Sequence, residues 1–593
     1  MFVDNKILIG KTNEKELYII PSMANRHGLI TGASGSGKTI TLKVMAESFS
    51  SAGVPVFLAD VKGDLAGMCM PGINNEKIQD RLNKLGISNF DFTNFPTIFW
   101  DVYGQSGHPI RTTVSSVGAT ILSRMLGLTE AQAGVLAIAF KIAKDSNLEL
   151  VDLKDLRLLL QHIGDNRSEF TLNYGNVSVQ SIGGIQRSIL MLQEQGGDYF
   201  FGEPAIDIND FIKFSPENGY GNINILHATE LFKQPILYSC FLLWLLTYLN
   251  QNLPEVGDLD KPKIVFFFDE AHLLFDDMPK YMLTQVTQVV KLIRSKGIGL
   301  YFISQTPNDI PNDIQAQLGN RVQHTLRAYT PAEQKIVKSV ASSFRTNPNF
   351  NTEDAITSLG TGEALISFVT ENGEPGIVEK ATILPPQSQM GTIDEVLRAN
   401  VVNSSRFKGK YDDLIDRETA FEIIQAETER QQYEQQETEN EMYSSTINNE
   451  VNQTGYQTTP SPAQNYNTQQ NNTTQSNNNS QGMFSTPNNS GTFYNMNNSQ
   501  YGNYNNSQNS SAQPQPQQNV SNTSSGNVSK NTGKRTSTTS ASSTSKKSSN
   551  SSKGTTKKKT SAAEKAFTKT TNSALNTFGR KIGNEVFKKL FKK

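Results

Sequence analysis

The chain has 593 residues, 55 Lys+Arg against 56 Asp+Glu, and a hydrophobic content of 36%, which is too long for a single domain and too evenly charged for passive attraction to nucleic acid to define it. Its two cysteines, Cys69 and Cys240, are far apart, which excludes a cystine-stapled fold or a cysteine metal cluster and points to the reducing cytoplasm. Both averages hide a split. Residues up to about 400 are rich in aliphatic and aromatic side chains, whereas about 445 to 560 is nearly all Asn, Gln, Ser, Thr, Gly and Lys. From Lys530 onward 17 basic residues stand against two acids, so residues 1–529 hold 38 basic and 54 acidic residues.

The opening, MFVDNKILIG, lacks an apolar run of signal-peptide length. Residues 1–22 read as two short strands, Lys6–Gly10 and Glu16–Ile20. A buried strand follows, and then Gly32-Ala33-Ser34-Gly35-Ser36-Gly37-Lys38-Thr39 fits G-x-x-x-x-G-K-[ST] at every fixed position, with a helix running on through Thr41, Leu42 and Phe49. In that spacing glycines let consecutive backbone N–H groups turn toward phosphate oxygens, and the helix N-terminus adds partial positive charge. Residues 32–39 and Thr41 are therefore the expected nucleotide contacts, with Lys38 reaching the β- and γ-phosphates and the Thr39 hydroxyl holding Mg²⁺.

Gly53–Asp60 reads as a second buried strand, ending in Asp60-Val61-Lys62-Gly63-Asp64. Asp60 or Asp64 either orients water or metal or caps the next helix. Strand, glycine turn, helix, strand is the opening of a parallel α/β sheet. Residues 73–220 then show helical spacing in Val117–Leu126, Glu130–Lys144, Leu153–Ile163 and Ser181–Gln195, an inserted helical subdomain. Strands resume at Asn222–Leu226, Lys263–Phe268, Gly299–Ser304, Val322–Leu326 and Ala364–Phe368. The longest apolar run, Ile236–Leu249, is shorter than a bilayer span and reads as a buried helix.

A hydrophobic strand ending in Asp269-Glu270 is the partner a phosphate loop needs: Asp269 for the metal shell and Glu270 as general base for water. The string Asp-Glu-Ala-His (269–272) does not make a superfamily-2 helicase, because the Ser-Ala-Thr motif expected after it is absent. The next strand ends Ile303-Ser304-Gln305-Thr306-Pro307 instead, where Gln305 suits a γ-phosphate sensor. Arg321, Arg327 and Arg294 are candidates for an arginine supplied to a neighbouring subunit, with surface salt bridging the competing role of each. His27 and His272 lie near the loop without a metal-ligand spacing.

Residues 401–445 read as a charged helical segment and 446–560 as disordered. In 561–593, Leu575, Phe578, Ile582, Val586 and Leu590 share one face of a basic helix. Such a helix suits an anionic membrane surface, nucleic acid or a partner groove, and equally a terminal helix resting on its own core or a second copy.

Gly32–Thr39, Asp60–Asp64, Asp269-Glu270, Ile303–Pro307 and Leu359–Leu365 occur in the order seen in HerA/FtsK-type motor ATPases. Residues 1–400 resemble the bacterial HerA-like helicase group closely, including Pro21–Gly28 and Phe266–Phe275. The resemblance implies a RecA-like P-loop core over 23–400, assembly as a homo-oligomer of up to six copies, and DNA as the track. About twenty residues precede the loop strand, too few for the N-terminal β-barrel of HerA helicases, so nuclease recruitment is not expected. The expected function is a cytoplasmic Mg²⁺-dependent ATPase, peripheral at membrane or nucleoid, acting as a ring-forming DNA translocase. The alternative is a nucleotide-dependent scaffold or switch tethered by the basic helix.

Overall fold

The computed structural model describes residues 1–275 and 278–453, with side chains through Ser445. The polar tract beyond residue 453 and the basic helix expected at 561–593 lie outside the described residues. The strands are β1 (Phe2–Val3), β2 (Lys6–Lys11), β3 (Glu16–Ile19), β4 (Gly28–Thr31), β5 (Val56–Asp60), β6 (Thr97–Asp101), β7 (His108–Pro109), β8 (Ile223–His227), β9 (Ile264–Phe268), β10 (Ile298–Ser304), β11 (Asn320–Gln323), β12 (Glu363–Ser367) and β13 (Glu379–Ile383). They form one sheet in the order β1-β2-β13-β12-β11-β4-β10-β9-β5-β8-β6-β7, with β3 on β2. From β11 to β7 every pairing is parallel; β11·β12, β12·β13, β13·β2, β2·β1 and β2·β3 are antiparallel.

The parallel half is buried on both faces, which is why its strands are continuous apolar runs. All five residues of β9 (IVFFF) and all seven of β10 are buried. Side chains alternate between two cores, as the two-residue strand period requires. Leu29, Phe57, Phe266, Phe268, Leu300 and Phe302 share one core with the helices Val114–Met125, Pro235–Asn252 and Lys280–Leu292. Ile30, Leu58, Val265, Phe267, Tyr301 and Ile303 share the other with the helix Lys38–Ser51. Full burial is worth roughly 1.5–3 kcal/mol for a side chain as large as phenylalanine, so β9 is fixed by its three phenylalanines before any polar contact is counted. The helix Pro235–Asn252 starts with proline in its first turn and is apolar around most of its circumference, as a wholly internal helix must be. No helix among the described residues is long and apolar enough to cross a membrane.

Two differences from the sequence reading bear on the edges. The stretch expected to be an inserted, mostly helical subdomain, 73–220, contributes β6 and β7, which extend the parallel sheet beyond β8. Pro96 and the run Thr97-Ile98-Phe99-Trp100 favour an extended segment that is too short to show a period among long helices. On the other side, β13 pairs with β12 and β2, so the N-terminal hairpin joins the same sheet. A third, small core of Leu326, Val337, Val340, Ile356 and Leu359 lies under the helices Pro331–Ser342 and Thr352–Ser358.

Candidate nucleotide site

Register decides what meets at the sheet's carboxyl edge. Thr31 of β4 pairs with Ser304 of β10 and Gln323 of β11, and Phe302 of β10 pairs with Phe268 of β9. The next residues of those strands, Gly32, Gln305, His324 and Asp269, therefore leave the sheet along one edge. Ala59 of β5 pairs with Phe268, so Asp60, the last residue of β5, ends at that edge beside His227 of β8. The strand carrying Gln305 lies between the loop strand and the acidic strand.

In the loop, Gly32 has φ 153° and Gly37 φ 116°, a backbone region that L side chains rarely adopt. A Cβ at Gly32 would stand 2.5 Å from His324 Cβ, so only glycine fits. The loop is pinned from behind. Gly32 N–H donates to the Gln305 carbonyl at 3.1 Å, Ala33 N–H to Thr325 at 2.8 Å, and Gly362 N–H to the Ser36 carbonyl at 2.9 Å. Arg81 in turn donates to the carbonyls of Gly362 and Thr361, each at 2.9 Å. The N–H groups of Ser34, Gly35, Gly37, Lys38 and Thr39 have no partner among the described residues, and the buried Ser36 hydroxyl has none either. Unsatisfied donors gathered at a helix N-terminus are what an anion requires. The Lys38 ammonium donates to its own loop, to Gly32 O at 2.7 Å and Ala33 O at 3.3 Å. Burial lowers its pKa, against the pull of Glu270 and Asp269.

The acidic strand supplies the opposite wall. Asp269 is 2% exposed; its Oδ1 accepts from the Glu270 N–H at 2.9 Å and its Oδ2 has no partner. Burial first, and the neighbouring Glu270 charge second, push its carboxyl up to about 7. Glu270 has φ 46°, strained for a residue with a Cβ, and is held there by Ala271 N–H on Ile303 O at 2.7 Å and Leu273 N–H on Glu270 O at 2.9 Å. Its Oε1 accepts from Lys62, while Oε2 has no hydrogen bond and lies 3.4 Å from His272 Nδ1. Burial opposes the charge on Lys62, but its hydrogen bond to Glu270 and the charge of Asp269 outweigh this and raise its pKa. Oxygen ligands on a loop hydroxyl and a strand-end carboxylate suit Mg²⁺, which takes one or two protein oxygens and completes its shell with phosphates and water. The unpartnered Asp269 Oδ2 fits that demand.

The other expected residues fall as follows. Asp60 is 1% exposed and accepts from Gly63 N–H at 2.7 Å and Leu65 N–H at 3.1 Å, so it braces the turn that presents Lys62; burial lifts its carboxyl to about 6. Gln305 is exposed at the mouth, on a turn fixed by Asp309, which accepts from the Thr306 N–H and hydroxyl, both at 2.9 Å. Thr41 is fully buried with its hydroxyl 2.8 Å from His324 Nε2. Two residues along an α-helix is a rotation of about 200°, so Thr41 and Thr39 lie on different faces. Arg321 lies within β11 opposite Leu29 and donates to the Leu318 and Gln315 carbonyls at 3.1 and 3.2 Å. Arg294 lies 3.5 Å from Asp258. Arg327 is exposed, with no side-chain partner among the described residues. His27 sits at the far end of β4, its Nε2 3.0 Å from Val290 O and its Nδ1 accepting from Leu300 N–H at 3.0 Å.

His324 and Lys62 were not singled out in sequence. His324 Nδ1 is 3.0 Å from the Glu363 carbonyl, which only accepts, so Nδ1 carries the proton and Nε2 accepts from Thr41. Burial lowers this imidazole to about 4 from its ordinary 6.5. Stability that depends on the neutral ring is thus complete above pH 6.5 and is lost as pH falls toward 4. We expect the stability advantage of the wild type over His324→Asn, which keeps a donor for Glu363, to shrink by about 3 kcal/mol across that window. Urea titrations of both proteins from pH 7 to pH 4 measure it; a difference independent of pH would refute the neutral ring.

A glycine loop at a helix N-terminus, an acidic strand end opposite it and a polar strand between them, on a largely parallel sheet, define a P-loop α/β fold. Residues 5–486 match the family model for the helicase HerA-like C-terminal region, and the chain belongs to that family. Curated relatives named DNA double-strand break repair helicase HerA are 24% identical over 362 residues in Sulfolobus acidocaldarius and 23% over 383 in Sulfurisphaera tokodaii. These matches cover 60% and 62% of this chain, and 65% and 67% of the relatives; the chain thus spans about two thirds of their length. Among solved structures, the plasmid coupling protein TrwB with a GTP analogue is 13% identical with a TM-score of 0.42, covering 64% of this chain and 89% of its own. VirB4 of Thermoanaerobacter pseudethanolicus is 15% identical with a TM-score of 0.42, covering 65% and 97%.

Proposed function

We propose that the chain is a Mg²⁺-dependent ATPase that works as a ring of identical copies moving along DNA. The observation that carries the chemistry is the convergence of Lys38, Asp269, Glu270 and Gln305 on one sheet edge, where β4 and β10 end level and β9 ends opposite Phe302 of β10. Lys38 leaves the Gly32 and Ala33 carbonyls for the phosphate oxygens, and the free N–H groups of Ser34, Gly35, Gly37, Lys38 and Thr39 complete the cradle. Thr39 and Asp269 hold the metal, and bound there Mg²⁺ would neutralise charge building on the β- and γ-phosphate oxygens. Glu270 takes the proton of the attacking water through Oε2, with Lys62 holding Oε1. Gln305 contacts the γ-phosphate from the middle strand.

DNA as the track is supported by the names of the curated relatives. The described body is acidic, so any DNA contact comes from local cationic groups and is strongly weakened by salt. Duplex DNA is expected to raise the steady-state ATPase rate of the full chain at about 50 mM salt, with the stimulation fading by about 200 mM. No stimulation at low salt would overturn the motor reading and favour a nucleotide-controlled scaffold.

A further inference from the structure

Beside the phosphate loop lies a cleft with no role in the reading above. The chain leaving β11 walls a cavity of about 440 Å³ against the helices Pro331–Ser342 and Thr352–Ser358, within the roughly 300–1,000 Å³ of small-molecule sites. Leu326 and Val337 of the small third core contribute to its lining, which is otherwise mostly polar. It is also lined by Tyr329, Arg327, Gln334, Glu353 and Asp354. Tyr329 is 80% exposed, and neither its ring nor its hydroxyl has a partner among the described residues. A large exposed ring with apolar side chains, an amide and two carboxylates in the same lining is the chemistry of a slot for a flat heteroaromatic group that carries hydrogen-bond donors.

The position of the cleft says which group. Leu326 directly follows Thr325, whose carbonyl accepts from Ala33 of the loop at 2.8 Å, and His324 before it backs Gly32. Four residues span at most about 14 Å, so Tyr329 is within one nucleotide's length of the phosphate cradle. We propose that this cleft takes the purine base of the nucleotide whose phosphates lie on Gly32–Thr39. Tyr329 stacks on the base, and Gln334 and Asp354 face its amine-bearing edge. Arg327, in the same lining, then serves the nucleotide of its own chain rather than a neighbour's. The proposal rests on the nucleotide-site reading and extends it from the phosphates to the base.

Calorimetric titration of the full chain with Mg²⁺-ATP and with Mg²⁺-tripolyphosphate, which lacks a base, tests it. Tyr329→Ala is expected to weaken ATP roughly 10- to 100-fold, the range for losing one base–aromatic stack, and to leave tripolyphosphate unchanged. Tyr329→Phe should restore ATP affinity. Equal weakening of both ligands, or no change in ATP, would overturn the base slot while leaving the phosphate site standing. Tripolyphosphate binding that survives Lys38→Ala would instead overturn the nucleotide-site reading, and the base slot with it.

Discussion

Lys38→Ala is expected to lower Mg²⁺-ATP affinity by at least about 100-fold and to abolish measurable turnover, because a charged donor aimed at phosphate oxygens contributes about 1.5–3 kcal/mol for each hydrogen bond it makes. The fold should survive. In the unliganded chain the ammonium reaches only the carbonyls of Gly32 and Ala33, and the loop keeps its backbone anchors on Gln305, Thr325 and Gly362. Thermal melts separate the two effects. Saturating Mg²⁺-ATP at 100 times its dissociation constant stabilises the wild type by about 2.7 kcal/mol through mass action, and the variant should gain no more than about 0.4 kcal/mol at that concentration while melting near the wild type without nucleotide. Full ATPase activity in Lys38→Ala would sink the site.

Glu270→Gln should leave nucleotide binding intact and cut kcat by about 100- to 10,000-fold, the usual effect of removing a general base. The amide matches the carboxylate in size, so the backbone at φ 46° and its bonds through Ala271 and Leu273 need not change. Removing the charge also relieves Asp269, whose carboxyl is held up at about 7 by burial and then by Glu270. The pair Lys62–Glu270 is lost as an ion pair, which frees a half-exposed lysine rather than a buried one. Single-turnover assays with bound ATP measure the step. Normal hydrolysis would remove Glu270 as the base.

What could be read in sequence was what is local. The loop at Gly32–Thr39 and the strand ending Asp269-Glu270 are short, contiguous and bounded by apolar runs, so chain order alone placed them. The strand of Gln305 was legible for the same reason. Lys62 and His324 were not, because their partners are 208 and 39 residues away and nothing near them in sequence signals the contact. Arg321 looked available beside a strand, but the parallel register with β4 puts it inside the sheet. Thr41 was expected at the nucleotide with residues 32–39, and helical rotation sets its hydroxyl on His324, a partner 283 residues away. The strand Thr97–Asp101 escaped because five residues between helices show too little period to be seen.

The anchoring of the phosphate loop also sets when in the life of the chain it can work. Ser36 is tied to Gly362, and Gly32 is backed by His324, whose ring is fixed by Glu363. The loop is made early and its back wall about 300 residues later. At translation rates of about 5–20 residues per second, that gap is roughly 15–60 s. Throughout it the growing polypeptide carries the G-x-x-x-x-G-K-T letters without the shape they need. A fragment released early would neither bind nor waste nucleotide, and competence would arrive with closure of the sheet, a long-range and therefore slow event.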